Sequence, residues 1–553
     1  MRARRAVLLA PFLAACGRSA PAPPASADGI AFVDVTGRAG ISYRNRNGDP
    51  EKKKLVDGVG GGTTFFDFDG DGDPDLFVTN GWRRGGFPDG PAPRKALYRN
   101  DAGRFLDVTE EAGLQSEDWN MGCVAADYDG DGDADLLVTN LGPLRLYRND
   151  GRGRFTDVAP RLGLPLGSWG TAAAFGDPDG DGDLDLYVAQ YIEWDPAFVP
   201  TDRTSCRYKD VMVAYGPRGF PGAVDLYGRN EGDGSFAEAA EPCGLADRGK
   251  GYGFQVLFSD FDDDGDADLF VANDSVPNYL FRNRGDGLFE EVGLEAGVAL
   301  SVDGRPQAGM GAAFGDFDGD GRLDLAVTNF SDDNTNVYRN EGNGFFTDVA
   351  YPCGVGAPSY PFLKWAAIPG DFDADGWLDL FVANGHLYPQ IDRYPLDTTY
   401  NQACQLFRNR GDGSFEEIGR RAGLGEKRVW RGASASDFDG DGDLDLFVTA
   451  IDGPAALLRN DTASGGHSLL LRLVGRRSDR DGVGARILLT AGGRTQVREV
   501  AAGVGFCGGV EAKIHFGLGP ATRADRIEVR WPSGRVQTLE GVPAGGTTRV
   551  VER

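Results

Sequence analysis

Histidine is almost absent from this chain, with three in 553 residues. There is also no His-Glu-x-x-His, no Gly-x-Ser-x-Gly and no zinc-spaced set among the seven cysteines, so the usual equipment for metal hydrolysis or nucleophilic catalysis is missing. No later segment reaches the roughly 18 uninterrupted apolar residues that a membrane-spanning helix needs. Basic charge is short as well: 57 Lys and Arg stand against 84 Asp and Glu, a formal net charge of -27. No basic patch or stripe appears, which excludes nucleic acid as an expected partner.

What the chain has in quantity is one acidic turn. Asp437-Phe-Asp439-Gly-Asp441-Gly-Asp443-Leu-Asp445 places carboxylates at positions 1, 3, 5 and 9 and glycine at position 6. That is the spacing of a calcium loop, in which the glycine permits the sharp turn and position 7 gives only its backbone carbonyl. An EF-hand would continue into a helix with Glu at position 12, whereas here the chain runs into Leu446-Phe-Val448, so the loop should join two strands.

The turn occurs seven times. Its side-chain ligands are Asp67, Asp69, Asp71 and Asp75; Asp127, Asp129, Asp131 and Asp135; Asp177, Asp179, Asp181 and Asp185; Asp260, Asp262, Asp264 and Asp268; Asp316, Asp318, Asp320 and Asp324; Asp371, Asp373, Asp375 and Asp379; and Asp437, Asp439, Asp441 and Asp445. The position-7 carbonyls belong to Asp73, Asp133, Asp183, Asp266, Arg322, Trp377 and Asp443. The sequence varies where only the backbone matters, which argues for about seven Ca²⁺ sites over ion-free Asp/Gly turns. Magnesium, which wants a tighter octahedron, fits less well. Removing the 28 ligand aspartates leaves the remaining charge at +1 (-27 + 28), so the acidity resides mostly in the loops.

Each turn sits in a unit of 50 to 83 residues, a period that points to a propeller or solenoid. A small-residue strand enters the loop, an apolar strand leaves it, a Tyr/Phe-Arg-Asn strand follows, and a glycine turn leads to a fourth strand opened by Phe. The fourth strand is missing from the last unit, and Phe32-Val-Asp-Val-Thr36 precedes the first. The expected fold is therefore all-β: a seven-bladed propeller over residues 30–462, closed by the N-terminal strand, followed by a small sandwich-like β domain at 467–553.

Residues 1–15 read as a signal peptide of lipoprotein type, with Leu13-Ala-Ala-Cys16 resembling a lipobox; residues 16–29 read as an acylated Cys16 and a Pro/Ala-rich tether. Localisation is then extracytoplasmic, with the membrane touched only through the lipid. Among the other cysteines, Cys206 and Cys404 lie in insertions and are the best disulfide candidates, while Cys243 and Cys353 occupy small buried positions of the repeat.

The long connections Gly81 to Lys95, Tyr191 to Asp225 and Gly385 to Gln405 fall on the face opposite the loops, where variable segments on a rigid scaffold commonly bind. Trp119, Trp169, Trp365 and Trp430 should gather there near the axis, either as a stacking ring or, more economically, as packing. His386 and Tyr388 complete that candidate ligand face. Gly503-Val-Gly-Phe-Cys-Gly508 matches a dinucleotide fingerprint, but it lies among strands with no helix to follow, so it is discounted.

The whole resembles the FG-GAP/VCBS-repeat propellers that carry a C-terminal ASPIC/UnbV domain, the cartilage acidic protein-like family in a bacterial lipoprotein form. The tail motifs are Arg480-Asp-Gly-Val-Gly-Ala-Arg486, His515-Phe-Gly-Leu-Gly519 and Val529-Arg-Trp-Pro-Ser-Gly534; the insertion motifs are Asn384-Gly-His-Leu-Tyr-Pro389 and Gly216-Pro-Arg-Gly219. Tyr215 departs from the pattern, standing where relatives often have a second cysteine. The resemblance implies extracytoplasmic calcium binding. The expected function is a binding, scaffold or adhesion-type module for a protein or glycan partner. The alternative is an enzyme acting on a carbohydrate or secondary metabolite at the axial face opposite the loops.

Overall fold

The computed structural model describes residues 29–83, 85–87, 93–165, 167–198, 206–246, 251–508 and 513–553. The leader, Cys16 and nearly all of the tether lie outside the described residues. No helix among the described residues is long and apolar enough to cross a membrane.

The architecture is all-β. Seven four-stranded antiparallel sheets follow one another among the described residues, in the arrangement a propeller uses. Their first strands are Thr63–Phe66, Trp119–Ala126, Gly170–Gly176, Gly253–Ser259, Gly309–Gly315, Lys364–Gly370 and Trp430–Ser436. Each of these touches the next, and Trp430–Ser436 touches Thr63–Phe66. Six sheets take four strands in chain order; the last takes three and is completed by Phe32–Asp34, which pairs with Ala456–Asn460 in the register Phe32↔Asn460.

Threonine hydroxyls on the first and second strands stitch neighbouring sheets together. Thr139 Oγ1 donates to Thr171 O at 2.8 Å, Thr171 Oγ1 to Gly253 O at 2.7 Å, and Thr449 Oγ1 to Gly61 O at 2.5 Å, the last joining the seventh sheet to the first. Apolar clusters fill the gaps between sheets; one collects Leu257, Phe270 and Leu280 of the fourth with Leu325, Val327 and Tyr338 of the fifth. With nearly all of this surface buried, the hydrophobic gain rests on the interfaces between sheets.

The C-terminal domain is a two-sheet sandwich. His467–Val474 lies between Lys513–Gly519 and Thr547–Val551, and faces a sheet ordered Arg494–Glu499, Arg486–Ala491, Arg523–Arg530, Val536–Pro543. Leu469, Leu471, Leu473, Ile487, Phe516 and Trp531 form its core. The strand Thr547–Val551 runs parallel to His467–Val474 and was not foreseen, because a five-residue Thr/Val segment carries no alternating pattern of its own.

This domain does not stand apart from the sheets. After Glu499 the chain leaves the sandwich and runs against the first strands of the sheets, where Ala502 bridges Phe175 and Gly505 bridges Ala312. Cys507 O accepts from Cys123 N at 3.2 Å, and Cys507 N donates to Gln255 Oε1 at 3.2 Å. Glycines at the starts of the first strands lie directly against this hairpin. A Cβ on Gly62 would lie 2.2 Å from Cys507 O, and one on Gly311 would lie 2.6 Å from Gly505 O.

Candidate metal centres

Every acidic turn joins the first strand of a sheet to its second, so all seven open at the same end of their sheets. The geometry repeats closely. The position-6 glycines, from Gly72 to Gly442, have φ between +92° and +100°, backbone that a side chain rarely adopts. That conformation lets each glycine N–H reach back to the position-1 carboxylate, at 2.7 Å for Gly376 to Asp371 and 3.2 Å for Gly321 to Asp316.

The position-9 aspartate is anchored from two sides. One oxygen accepts from the backbone N of the Asn that ends the third strand, at 2.7–2.8 Å in all seven units. The other accepts from the position-2 N–H in six units, for example Phe68 to Asp75 at 3.1 Å. The third unit has Pro178 there and no N–H to give. The hydroxyl of Tyr227 takes its place, donating to Asp185 Oδ2.

The same Asn side chain bridges two sheets, a role its sequence signature did not reveal. Asn340 Nδ2 donates to Leu323 O of its own loop and to Phe261 O of the preceding one, at 3.0 and 2.7 Å. Asn100 reaches Phe438 O at 2.8 Å, so this chain of bridges also runs from the seventh unit to the first.

Carboxylates and buried charge fit a hard cation here. In clusters such as Asp67, Asp69, Asp71 and Asp316, Asp318, Asp320, the donor oxygens lie within 4.8 Å of one another, about twice a calcium–oxygen bond of roughly 2.4 Å. Asp69, Asp262, Asp373 and Asp439 at position 3, and Asp127 at position 1, each bury a carboxylate oxygen with no hydrogen-bond donor. Burial, with neighbouring carboxylates behind it, pushes Asp371 up to about 8 and Asp127, Asp177 and Asp437 to about 7. Asp135 rises to about 9 through burial. Anionic oxygens crowded out of water without donors are costly unless a cation meets them.

Position-7 side chains engage the adjoining hairpin, and that of Arg322 also reaches the position-5 carboxylate of Asp320. Asp73 accepts from Ala102 N at 3.0 Å, and Arg322 Nε donates to Asn340 O at 2.8 Å. Variation at this position is therefore a matter of fitting the adjoining hairpin.

The sandwich covers this face, and it meets the loops differently one by one. Arg486 lies 3.6 Å from Asp260 and 3.0 Å from Glu499; Arg494 stacks 3.5 Å over the Trp377 ring. His515 Nε2 and Ser468 Oγ both contact Gly442 O, at 3.0 and 2.6 Å. Lys513 Nζ donates to Gly72 O at 2.7 Å, and Asp481 accepts from Asp127 N at 3.0 Å. No signal in the tail sequence announced this docking, because its contacts go largely to backbone groups.

On the opposite end, the four tryptophans do not form an open ring. Trp169, Trp365 and Trp430 are buried, and Trp119 is partly buried with Nε1 donating to Asn47 Oδ1 at 2.5 Å. Trp365 packs edge-on to Phe506 of the inserted hairpin at 4.8 Å and carries the buried Arg431 guanidinium 4.0 Å over its ring. His386 is fully buried; its Nδ1 accepts from Tyr388 N at 3.2 Å, and burial depresses its pKa to about 3. It is a neutral group holding its own loop. Cys404 is buried and carries a free thiol. The insertions holding Cys206 and Cys404 meet, with Tyr208 4.9 Å from the His386 ring and Lys209 bridging Asp332 and Asp397 at 2.8 and 2.5 Å.

Comparison with known proteins matches the FG-GAP-like repeat at residues 67–138, 127–188, 260–327, 316–382 and 396–448, together just over half of the chain, and ASPIC and UnbV at 475–553. Cartilage acidic protein 1 of Homo sapiens is 31% identical over 297 residues, covering 52% of this chain and 42% of the human protein. The Mus musculus protein is 31% identical over 281 residues, 49% and 40% of the two chains. The chain thus spans less than half the length of the curated relatives it matches. Among solved structures, the BP39L lectin of Burkholderia pseudomallei aligns over 72% of this chain and 95% of its own at 10% identity and TM-score 0.42. The rhamnogalacturonan lyase YesX aligns over 92% of both at 13% and 0.32. Likenesses this distant add nothing to the assignment. The repeats and the terminal domain together do: the chain belongs to the FG-GAP-like repeat family that carries an ASPIC and UnbV domain.

Proposed function

We propose that the chain is an extracytoplasmic calcium-binding β-propeller, tethered through an acylated Cys16, that serves as a binding, scaffold or adhesion-type module. The sheets make seven blades over residues 30–462, with Phe32–Asp34 as the outer strand of the last, and the sandwich at 467–553 docks on the loop face. Support comes from the pairing of Phe32–Asp34 with Ala456–Asn460 and from the Asn bridges between consecutive loops.

The observation that carries the calcium reading is the set of buried, donor-free carboxylate oxygens converging in the loops. Ions there would hold each turn closed and neutralise the face on which the sandwich sits. Leu13-Ala-Ala-Cys16 supports the anchor. A protein or glycan partner is assigned to the face opposite the loops, where the insertions after Tyr191 and Gly385 meet.

Thermal melting in millimolar Ca²⁺ and in excess EDTA tests this. Ligand linkage at about 100 times Kd is worth about 2.7 kcal/mol per site, so several sites together should lower the Tm by well over 10 °C on chelation. An unchanged melt would remove structural calcium from the account.

A further inference from the structure

Beneath the two joined insertions lies a cavity of about 270 Å³. Its residues Tyr191, Asp274, Phe330 and Tyr388 directly follow second strands or belong to the connections after them, so it opens at the end remote from the acidic turns. Trp365 and Phe254 give it an aromatic floor. Phe506 of the inserted hairpin packs against both rings, at 4.8 and 5.7 Å, so the floor is braced from below.

The walls are polar and carry spare hydrogen-bonding capacity. Tyr388 is 6% exposed, and its hydroxyl has no hydrogen-bond partner among the described residues. Ser331, also 6% exposed, buries an Oγ that no hydrogen bond of good geometry reaches, although the Tyr208 hydroxyl lies beside it. Asp274 accepts from Tyr191 Oη at 2.6 Å and Ser275 Oγ at 2.8 Å, which orients its carboxylate and leaves further lone pairs. Asp333 uses one oxygen for Gln307 Nε2 at 3.2 Å. Arg218, held to Ser275 O at 3.2 Å, adds a donor at the rim.

Donors and acceptors therefore both line a space at the small end of ligand pockets. An apolar ligand would strand the buried polar groups. An anion would face two carboxylates, and a lone cation would leave the hydroxyl donors unused. A ring bearing vicinal hydroxyls satisfies both kinds of group.

We propose that this cavity binds one polyhydroxylated ring of monosaccharide size, gripped by Tyr388, Ser331, Asp274 and Asp333. The assignment rests on reading the face opposite the acidic turns as the ligand face, and it narrows the protein or glycan partner of that reading to a single sugar-sized ring. The test is saturation-transfer NMR and calorimetry on the full chain in Ca²⁺, with methyl β-D-glucopyranoside, methyl β-D-galactopyranoside, methyl α-D-mannopyranoside and myo-inositol as probes, and tetramethylammonium as the cation control. At least one ring probe should bind, and Tyr388→Phe and Asp333→Asn should each weaken it about tenfold with an unchanged Tm.

Silence from every ring probe, an affinity untouched by both variants, or binding of tetramethylammonium alone would each overturn the proposal. The melt in EDTA reads the acidic turns independently. A calcium-stabilised chain that ignores all four rings would remove the cavity assignment and leave the propeller reading standing.

Discussion

The two ends of the ring solve opposite problems. At the loop end, seven copies present nearly the same oxygens, glycine φ values and Asn bridges, and a single asymmetric domain covers them. At the other end the connections differ widely in length, and a cavity stays open between insertions. Repetition is kept where the carboxylates share one donor geometry, and it is released where a connection only has to return to the next strand. Sandwich and cavity are nevertheless linked, because the hairpin after Glu499 runs against the first strands of the sheets and places Phe506 beneath the cavity floor.

The largest expected effect breaks that link. Phe506→Ala removes a fully buried ring and should cost about 3–5 kcal/mol, measured by denaturant unfolding, while loosening both ends together. If only the sandwich melts earlier and the sheets are unaffected, the hairpin is an appendage and the ends are independent.

Asp371→Ala against Trp377→Ala sharpens the loop end itself. Losing a buried position-1 ligand should cost about 3–4 kcal/mol in saturating calcium. Losing Trp377 removes its stacking on Arg494 and its packing on Gly319 and Gly411 but no ligand, and should cost about 1–2 kcal/mol. Equal losses would contradict the division between side-chain and backbone ligands.

Asn340→Ala leaves the carbonyls of Leu323 and Phe261 without their donor and should cost about 2–3 kcal/mol, whether or not calcium is present. A cost that vanishes in EDTA would make the bridge a servant of the metal rather than of the ring.

The pH response tests the ion in the loops directly. Without a cation, the folded pKa values of Asp371 and Asp135 stand at about 8 and 9, above the unfolded value of about 3.9. Protonated carboxyls therefore favour the chelated fold below about pH 4, and that stability is lost as pH rises through 8 to 9. The Tm in EDTA should fall from pH 6 to pH 9. In calcium, where the same groups are held ionised, it should fall instead on acidification. Parallel curves in both buffers would deny the loops their ion.

Much of the loop end was legible in the sequence, because seven repetitions of Asp-x-Asp-x-Asp-Gly-x-x-Asp leave one turn geometry available. The four-stranded unit and the pairing of Phe32–Asp34 with the last third strand followed from counting signatures. What could not be read was the third dimension of single-copy segments. The glycines of Gly503-Val-Gly-Phe-Cys-Gly508 thread a channel where a Cβ on Gly503 would sit 2.9 Å from Ala173 O and one on Gly505 2.9 Å from Ile368 Cδ1. Such close approach leaves no periodicity. The tryptophans were visible as aromatics, but whether they pack or face solvent depends on Arg431 and Phe506, which are distant in sequence from most of them.

The most direct test counts ions. The full chain, stripped with chelator, dialysed against calcium and assayed by elemental analysis, should hold about seven Ca²⁺ per molecule. Substituting Asp371 with Ala should reduce that number by one. A chain that retains its fold and binds no calcium, or a count indifferent to Asp371, would contradict the account.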